Sequence, residues 1–213
     1  NSLGVSFPID LTMLHIRQGR DDERLVFVLR DDSDRRQQEE RLSWEATHDS
    51  LTQLLNRRAF NASLVRCLGE AGRQEVRSVL MLIDLDYFKP VNDEGGHLVG
   101  DDLLKRLAEL FRESVRQSDT VARLGGDEFG IILPACGMDR AQALAERIRA
   151  AVEALRIEHD GRSFGVTTSI GLTELTPEDS GPREVMARAD EGSYIAKSRG
   201  RNRVVVVPSP PAG

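Results

Sequence analysis

Val121-Ala122-Arg123-Leu124-Gly125-Gly126-Asp127-Glu128-Phe129-Gly130-Ile131-Ile132-Leu133 places two apolar runs, 121–124 and 129–133, on either side of a double glycine. Glycine tolerates positive φ, so the stretch reads as strand, tight bend, strand, with two acids presented at the bend. Upstream, Val79–Ile83 (VLMLI) is short, wholly apolar and followed by Asp84-Leu85-Asp86. That is the pattern of a central strand covered on both faces. Asp84 with Asp86 and Asp127 with Glu128 therefore form two pairs of acids that can meet at adjacent strand ends. Grouped carboxylates repel unless a cation joins them, and hard oxygen ligands suit Mg²⁺. On spacing alone, the same acids equally suit solvated turn ends.

Around this centre the chain alternates helix and strand signals from His48 onward, which predicts a mixed α/β domain. Leu103, Leu104, Leu107, Leu110 and Phe111 share one helical stripe over 101–115. Leu144, Ile148, Val152 and Leu155 share another over 140–155. Strands are predicted at 164–172 and 203–207, with a helix over 182–198 between them. Before His48, residues 5–14 and 24–30 read as two strands joined by a polar turn with Gly19 and Arg20-Asp21-Asp22. A charged stretch, Asp31 to Glu45, reads as a solvated helix, and Pro208–Gly213 as a loose tail.

The chain has 213 residues, room for one well-packed domain and an appendage. With 39% apolar and 30% charged residues it has the balance of a soluble globular protein. No run of about 18 apolar residues occurs, so no membrane span is expected. The N-terminal residues lack the basic and apolar segments of a secretory signal. A net charge of −6 argues against a duplex nucleic-acid surface while leaving room for a small anionic ligand. Cys67 and Cys136 lie in no metal-ligand spacing, and both are expected to be reduced thiols.

Arg123-Leu124-Gly125-Gly126-Asp127-Glu128-Phe129 resembles the signature of the GGDEF family, the diguanylate cyclases. Further motifs accompany it. Asp49-Ser50-Leu51-Thr52-Gln53-Leu54-Leu55-Asn56-Arg57-Arg58-Ala59-Phe60 is similar to the family's opening D-x-L-T-G-L-x-N-R-x-x-F, with Gln53 where Gly is commonest. Asp84-Leu85-Asp86-Tyr87-Phe88-Lys89, then Asn92-Asp93, Gly96-His97 and Gly100-Asp101, follow its D-x-D-x-F-K-x-x-N-D-x-x-G-H-x-x-G-D. Ala189-Asp190, Tyr194, Ala196-Lys197 and Gly200-Arg201-Asn202 resemble its closing motif, with Gly192-Ser193 where Ala-Leu is usual. A glycine inside a helix costs about 1 kcal/mol relative to alanine, so Gly192 is expected to loosen that helix.

The resemblance implies a central, mostly antiparallel sheet flanked by helices over residues 48–207. It implies condensation of two GTP into cyclic di-GMP and pyrophosphate by a homodimer, in which each domain holds one GTP. Asp84, the carbonyl of Leu85 and Asp127 would hold Mg²⁺, or Mn²⁺ in its place. Asp127 and Glu128 are the candidates for accepting the hydroxyl proton, and Lys89 for offsetting transition-state charge. Lys197 and Arg201 would grip phosphates, and Asn92 and Asp101 would read guanine. Phe88 would wall the pocket, and His97 is carried over as a substrate-site residue.

Arg116-Gln117-Ser118-Asp119 resembles the family's R-x-x-D inhibitory site for product cyclic di-GMP, with Arg147 on the following helix as a secondary contact. The alternative is a GGDEF-like module that binds GTP or cyclic di-GMP without turnover; intact Asp84, Lys89, Asp127, Glu128 and Lys197 argue for an enzyme.

Residues 1–33 resemble the last two strands and exit of a PAS sensor domain, with Asp32 and Ser33 as departures, and 34–47 a linking helix. Leu42 and Ala46 give one i, i+4 pair, short of the repeats a coiled coil needs. A cytoplasmic location is expected, in which segments upstream of residue 1 can anchor the protein to the inner membrane.

Overall fold

The structure, a computed structural model, describes residues 9–17, 23–74 and 77–209. It divides into two compact units, Asn1–Ala46 and Thr47–Gly213. In the first, β1 (Ile9–Arg17) pairs antiparallel with β2 (Glu23–Asp31), Leu11 opposite Leu29 and Met13 opposite Phe27. The turn expected at Gly19 and Arg20-Asp21-Asp22 lies outside the described residues. The helix α1 (Ser33–Thr47) follows, and its described side chains are exposed along nearly its whole length, as its charged sequence requires.

The second unit opens with β3 (Leu55–Asn56) and α2 (Arg57–Gln74), then β4 (Ser78–Asp86). Two consecutive helices, α3 (Phe88–Gly95) and α4 (His97–Ser114), lead to β5 (Thr120–Gly125) and β6 (Glu128–Leu133). After α5 (Met138–Ala154) come the short β7 (Ile157–His159) and β8 (Arg162–Phe164), which form their own hairpin. The chain ends with β9 (Thr167–Leu175), α6 (Pro182–Ser198) and β10 (Arg203–Val206). The single strand expected over 164–172 is therefore two strands, divided by Gly165-Val166 and belonging to different sheets.

The main sheet has the order β10-β9-β4-β6-β5-β3. Its three inner pairings are antiparallel and its two edges, β10 on β9 and β3 on β5, are parallel. β4 lies inside, and its alternation sorts two cores. Val79, Met81, Ile83 and Leu85 join Leu103, Leu107, Phe111, Ile148 and Val152 of α4 and α5. Leu80 and Leu82 join Phe60 and Leu64 of α2 and Val185 and Ala189 of α6. The helices thus cover both faces, and Asp84 and Asp86 inherit the α2–α6 side.

Candidate active site

Between β5 and β6 the chain reverses at Gly125 (φ 142°) and Gly126 (φ 52°), backbone that favours glycine. The reversal sets Glu128 opposite Asp84 in the antiparallel ladder, and the Leu85 N–H donates to the Asp127 carbonyl at 3.2 Å. Asp84 and Glu128, from neighbouring strands, and Asp127, from the turn before β6, thus lie at one sheet end. Lys197 from α6 answers them, its Nζ 2.6 Å from Asp84 Oδ2. Burial pushes the Asp84 carboxyl above the usual range; Lys197 opposes this, while the charges of Asp127 and Glu128 add to it. A cleft of about 300 Å³ opens beside this group, lined by Asp84, Glu128, Arg57 and, from α6, Asp190 and Ser193.

The hairpin is gripped from the segment that precedes α2. Arg123 donates twice to the Gly126 carbonyl, at 3.0 and 2.8 Å, and reaches Asp49 at 3.2 Å. Asp49 in turn accepts from the Thr52 N–H and hydroxyl at 2.9 and 2.7 Å. Arg57 donates to the Leu124 carbonyl at 2.7 Å and to Glu128 at 2.9 Å. The acids are therefore presented by a bend whose backbone is fixed on both sides.

Asp86 departs from the expected pairing of acids. It is buried and accepts from Thr167 Oγ1 (2.9 Å), Ser169 Oγ (2.8 Å) and the Asn202 N–H (3.0 Å). With three donors it is a structural anchor, not a free ligand. The bend at Gly200-Arg201-Asn202, all at positive φ, brings that N–H into place. Arg201 lies over the Tyr87 ring, 5.1 Å from its centroid, beside the end of β4. Lys89 is exposed on the first turn of α3 and has no ion pair among the described residues.

Gly192 also corrects the expectation drawn from its helix propensity. It is buried against Gly171 of β9, and a Cβ built on it would meet the Gly171 Cα at 2.8 Å. A Cβ on Gly171 would strike the backbone of Ala189 and Ser193. The two glycines let α6 lie directly on the sheet, which fixes Lys197 rather than loosening it.

Asn92 and Phe88 of α3 face α4 at Gly100, where the Asn92 amide and the Phe88 ring occupy the space a Cβ would need. Half-buried Asp101 follows Gly100, so the two expected guanine readers share one junction. Neither residue lines the cleft beside Asp84. Phe88 and Leu51 pack against the larger core. His97 is exposed at the start of α4.

Arg116, Asp119 and Arg147 do come together. They line a second cleft, of about 390 Å³, with Cys136. The turn closes on itself: the Arg116 N–H donates to Asp119 Oδ2 at 2.8 Å and the Asp119 N–H to the Arg116 carbonyl at 3.0 Å. Arg147 Nη2 donates to the Ser114 carbonyl at 2.9 Å.

Residues 46–203 match the family described as "Diguanylate cyclase, GGDEF domain". The chain belongs to the GGDEF family. Its GGDEF domain is similar to the probable diguanylate cyclase DgcE of Escherichia coli, 42% identical over 181 residues, covering 85% of this chain and 16% of that protein. It is 38% identical over 162 residues to the diguanylate cyclase DgcP of Pseudomonas aeruginosa, covering 76% of this chain and 24% of that protein. The chain thus spans less than a third of either relative.

The coiled coil and GGDEF domain of DgcB from Caulobacter crescentus, solved in complex with c-di-GMP, superposes with a TM-score of 0.75 at 32% identity, covering 83% of this chain and 92% of that one. The diguanylate cyclase SiaD, solved with its activator SiaC from Pseudomonas aeruginosa, gives 0.72 at 33% identity, covering 83% of this chain and 69% of that one.

The GGDEF site suits a hard divalent cation on its donor chemistry. Asp84 is half-buried beside the like charges of Asp127 and Glu128; Lys197 pairs with Asp84 and Arg57 with Glu128, and a divalent cation would further offset the cluster. Among the described residues no three His, Cys, Asp or Glu side chains form a ready cage. An ion such as Mg²⁺ takes one or two carboxylates and completes its shell with water and phosphate, a demand that the acids of this sheet end could meet.

The grip of Asp49, Thr52, Arg123 and Arg57 on the GGDEF hairpin is the part of the site that sequence reasoning assigned no role. All four residues lie in the quoted motifs, yet an ion pair between positions 74 residues apart leaves no local signal.

Proposed function

We propose that this GGDEF domain is a working diguanylate cyclase, joining two GTP into cyclic di-GMP with release of two pyrophosphates. The observation that carries this reading is the meeting of Asp84, Asp127, Glu128 and Lys197 at one sheet end. In each of two equivalent steps a ribose 3′-oxygen forms a bond to the α-phosphorus of the facing GTP. The bond from that phosphorus to the pyrophosphate oxygen breaks, and the hydroxyl proton passes to a carboxylate. The candidates are Glu128, which the Arg57 ion pair orients, and Asp127, whose backbone is held by Leu85; both bonds support this reading. Asp84, Asp127 and the Leu85 carbonyl would hold Mg²⁺, which when bound offsets charge on the triphosphate. Mn²⁺ suits the same oxygen donors.

Lys197 would exchange Asp84 for a phosphate oxygen as acceptor, and Arg201, over Tyr87 at the end of β4, and Lys89, on the first turn of α3, would add cations. Asn92 and Asp101 read guanine from the α3–α4 junction, with Phe88 as a wall and His97 at its rim. A single domain carries one such constellation, so two copies must face each other. Arg116, Asp119 and Arg147 bind product and restrain its synthesis. Residues 1–33 are read as the end of a PAS sensor, 34–47 as its linker, and the location as cytoplasmic.

The test is incubation with GTP and Mg²⁺ followed by chromatography for cyclic di-GMP. The wild type is expected to form product, and Asp84→Ala to lose at least about 100-fold in rate, as for removal of a metal-binding group from phosphoryl-transfer chemistry. GTP binding without product at concentrations where the chain is dimeric would overturn the cyclase reading in favour of a binding module.

A further inference from the structure

Helix α5 presents Arg140, Ala143, Leu144 and Arg147 to the Arg116–Asp119 cleft, the i, i+3, i+4, i+7 spacing of one helical face. Residues 114–116, Asp119 and Leu133–Cys136 complete the lining. Three guanidinium groups and one carboxylate line the cleft, a local balance of +2 in a chain whose net charge is −6. The one carboxylate is occupied: Asp119 accepts from the Arg116 N–H and, at 3.3 Å, from the Ser118 hydroxyl. Arg147 is engaged with the Ser114 carbonyl, whereas the side chains of Arg116 and Arg140 have no hydrogen bond or ion pair among the described residues. Both lie close enough to Cys136 for their charges to act on its thiol, which burial and then Asp119 push upward.

Unpaired guanidinium groups from two separate segments lining one cleft suit a ligand with more than one phosphate. Arg140 and Arg147 are seven residues apart, about 10 Å along the helix axis, so they address different parts of such a ligand. A cyclic dinucleotide carries its two phosphodiesters on opposite sides of one ring. We propose that Arg140 is a further ligand-binding residue of this cleft, contacting a phosphate of cyclic di-GMP in addition to the contacts of Arg116 and Arg147. This rests on the reading of the cleft as the product site. The alanine and leucine between the two arginines leave the helix face low and apolar enough for a base or ribose to lie against it.

Calorimetric titration of cyclic di-GMP into the whole chain tests this, with Arg140→Ala, Arg140→Lys and Arg116→Ala beside the wild type. Protection of the Cys136 thiol from alkylation by added ligand is a second readout, and Cys67 is buried. Arg140→Ala is expected to weaken binding about tenfold, the loss of one charge-assisted contact, and to raise the half-inhibitory concentration in proportion. The initial rate without product should not change, because Arg140 lies outside the catalytic group. Arg140→Lys should recover part of the loss, as a point charge without the fork. If Arg116→Ala loses binding and Arg140→Ala matches the wild type, the role of Arg140 is overturned and the product site stands. If both match the wild type, the product-site reading fails as well.

Discussion

Asp49 shows how a carboxylate outside the cluster of acids helps to fix the hairpin that presents them. Burial alone would raise its pKa, but the Thr52 hydrogen bonds and Arg123 outweigh it and hold the carboxyl below its ordinary value. A depressed acid contributes stability above its unfolded value, near 4, and loses it as pH falls through the folded value. Asp49→Asn is therefore expected to destabilise the chain by about 1–3 kcal/mol at neutral pH, the range for hydrogen bonds to charged groups. Thermal melts should show that gap shrinking below pH 4; a gap constant with pH would remove the ionic argument.

Asp84 has the opposite sign. Its raised carboxyl favours the protonated form, so the stability it contributes is present in acid and lost as pH rises through the folded value. Asp84→Asn is expected to melt no lower than the wild type at pH 7 while abolishing turnover, a separation that circular dichroism and product chromatography read together. The acids and their order were legible in the sequence because they sit in contiguous motifs. The clamp formed by Asp49 and Arg123 was not, because it depends on pairing across the fold.

At the scale of elements, the contact of α6 with β9 sets where Lys197 arrives. Gly171 has no space for a side chain beneath the backbone of Ala189 and Ser193. Gly171→Ala is expected to cost about 1–3 kcal/mol by overpacking, seen as a fall of several degrees in melting temperature. It should also reduce the rate beyond any loss of folded protein, because α6 carries the Lys197 ammonium to Asp84. An unchanged rate at a lowered melting temperature would separate the helix position from the chemistry. Long amphipathic helices such as α4 and α5 were readable from their stripes, and the double glycine announced the hairpin. The short β3, β7 and β8 carry too few residues for periodicity to register, and Gly192 read as a weakness because propensity is blind to what lies across the helix.

For the whole molecule, the division falls at Ala46 and Thr47, and among the described residues both apolar cores belong to the second unit. In the first, Leu11, Met13, Leu25, Phe27 and Leu29 are all more than half exposed. Two strands alone do not sustain a fold. A chain of residues 47–213 is therefore expected to unfold cooperatively, within about 5 °C of the full chain for so small a change in buried core; a non-cooperative melt would show that the first unit is needed. If each copy holds half of the reacting pair, activity per chain should rise with protein concentration, and a flat profile across the range where sedimentation reports monomer and dimer would contradict that. Within the second unit, β4 is apolar on both faces, so nothing in its core-facing residues distinguishes one register from the next. Asp86 does, through Thr167, Ser169 and Asn202. The site is in effect stored as a parity: a one-residue deletion within 79–83 leaves a strand still greasy on both sides, yet either Asp86 abandons its three donors or Asp84 keeps its place and the loops absorb the slip. A change in the length of this strand is therefore expected to cost more than the exchange of one apolar side chain for another.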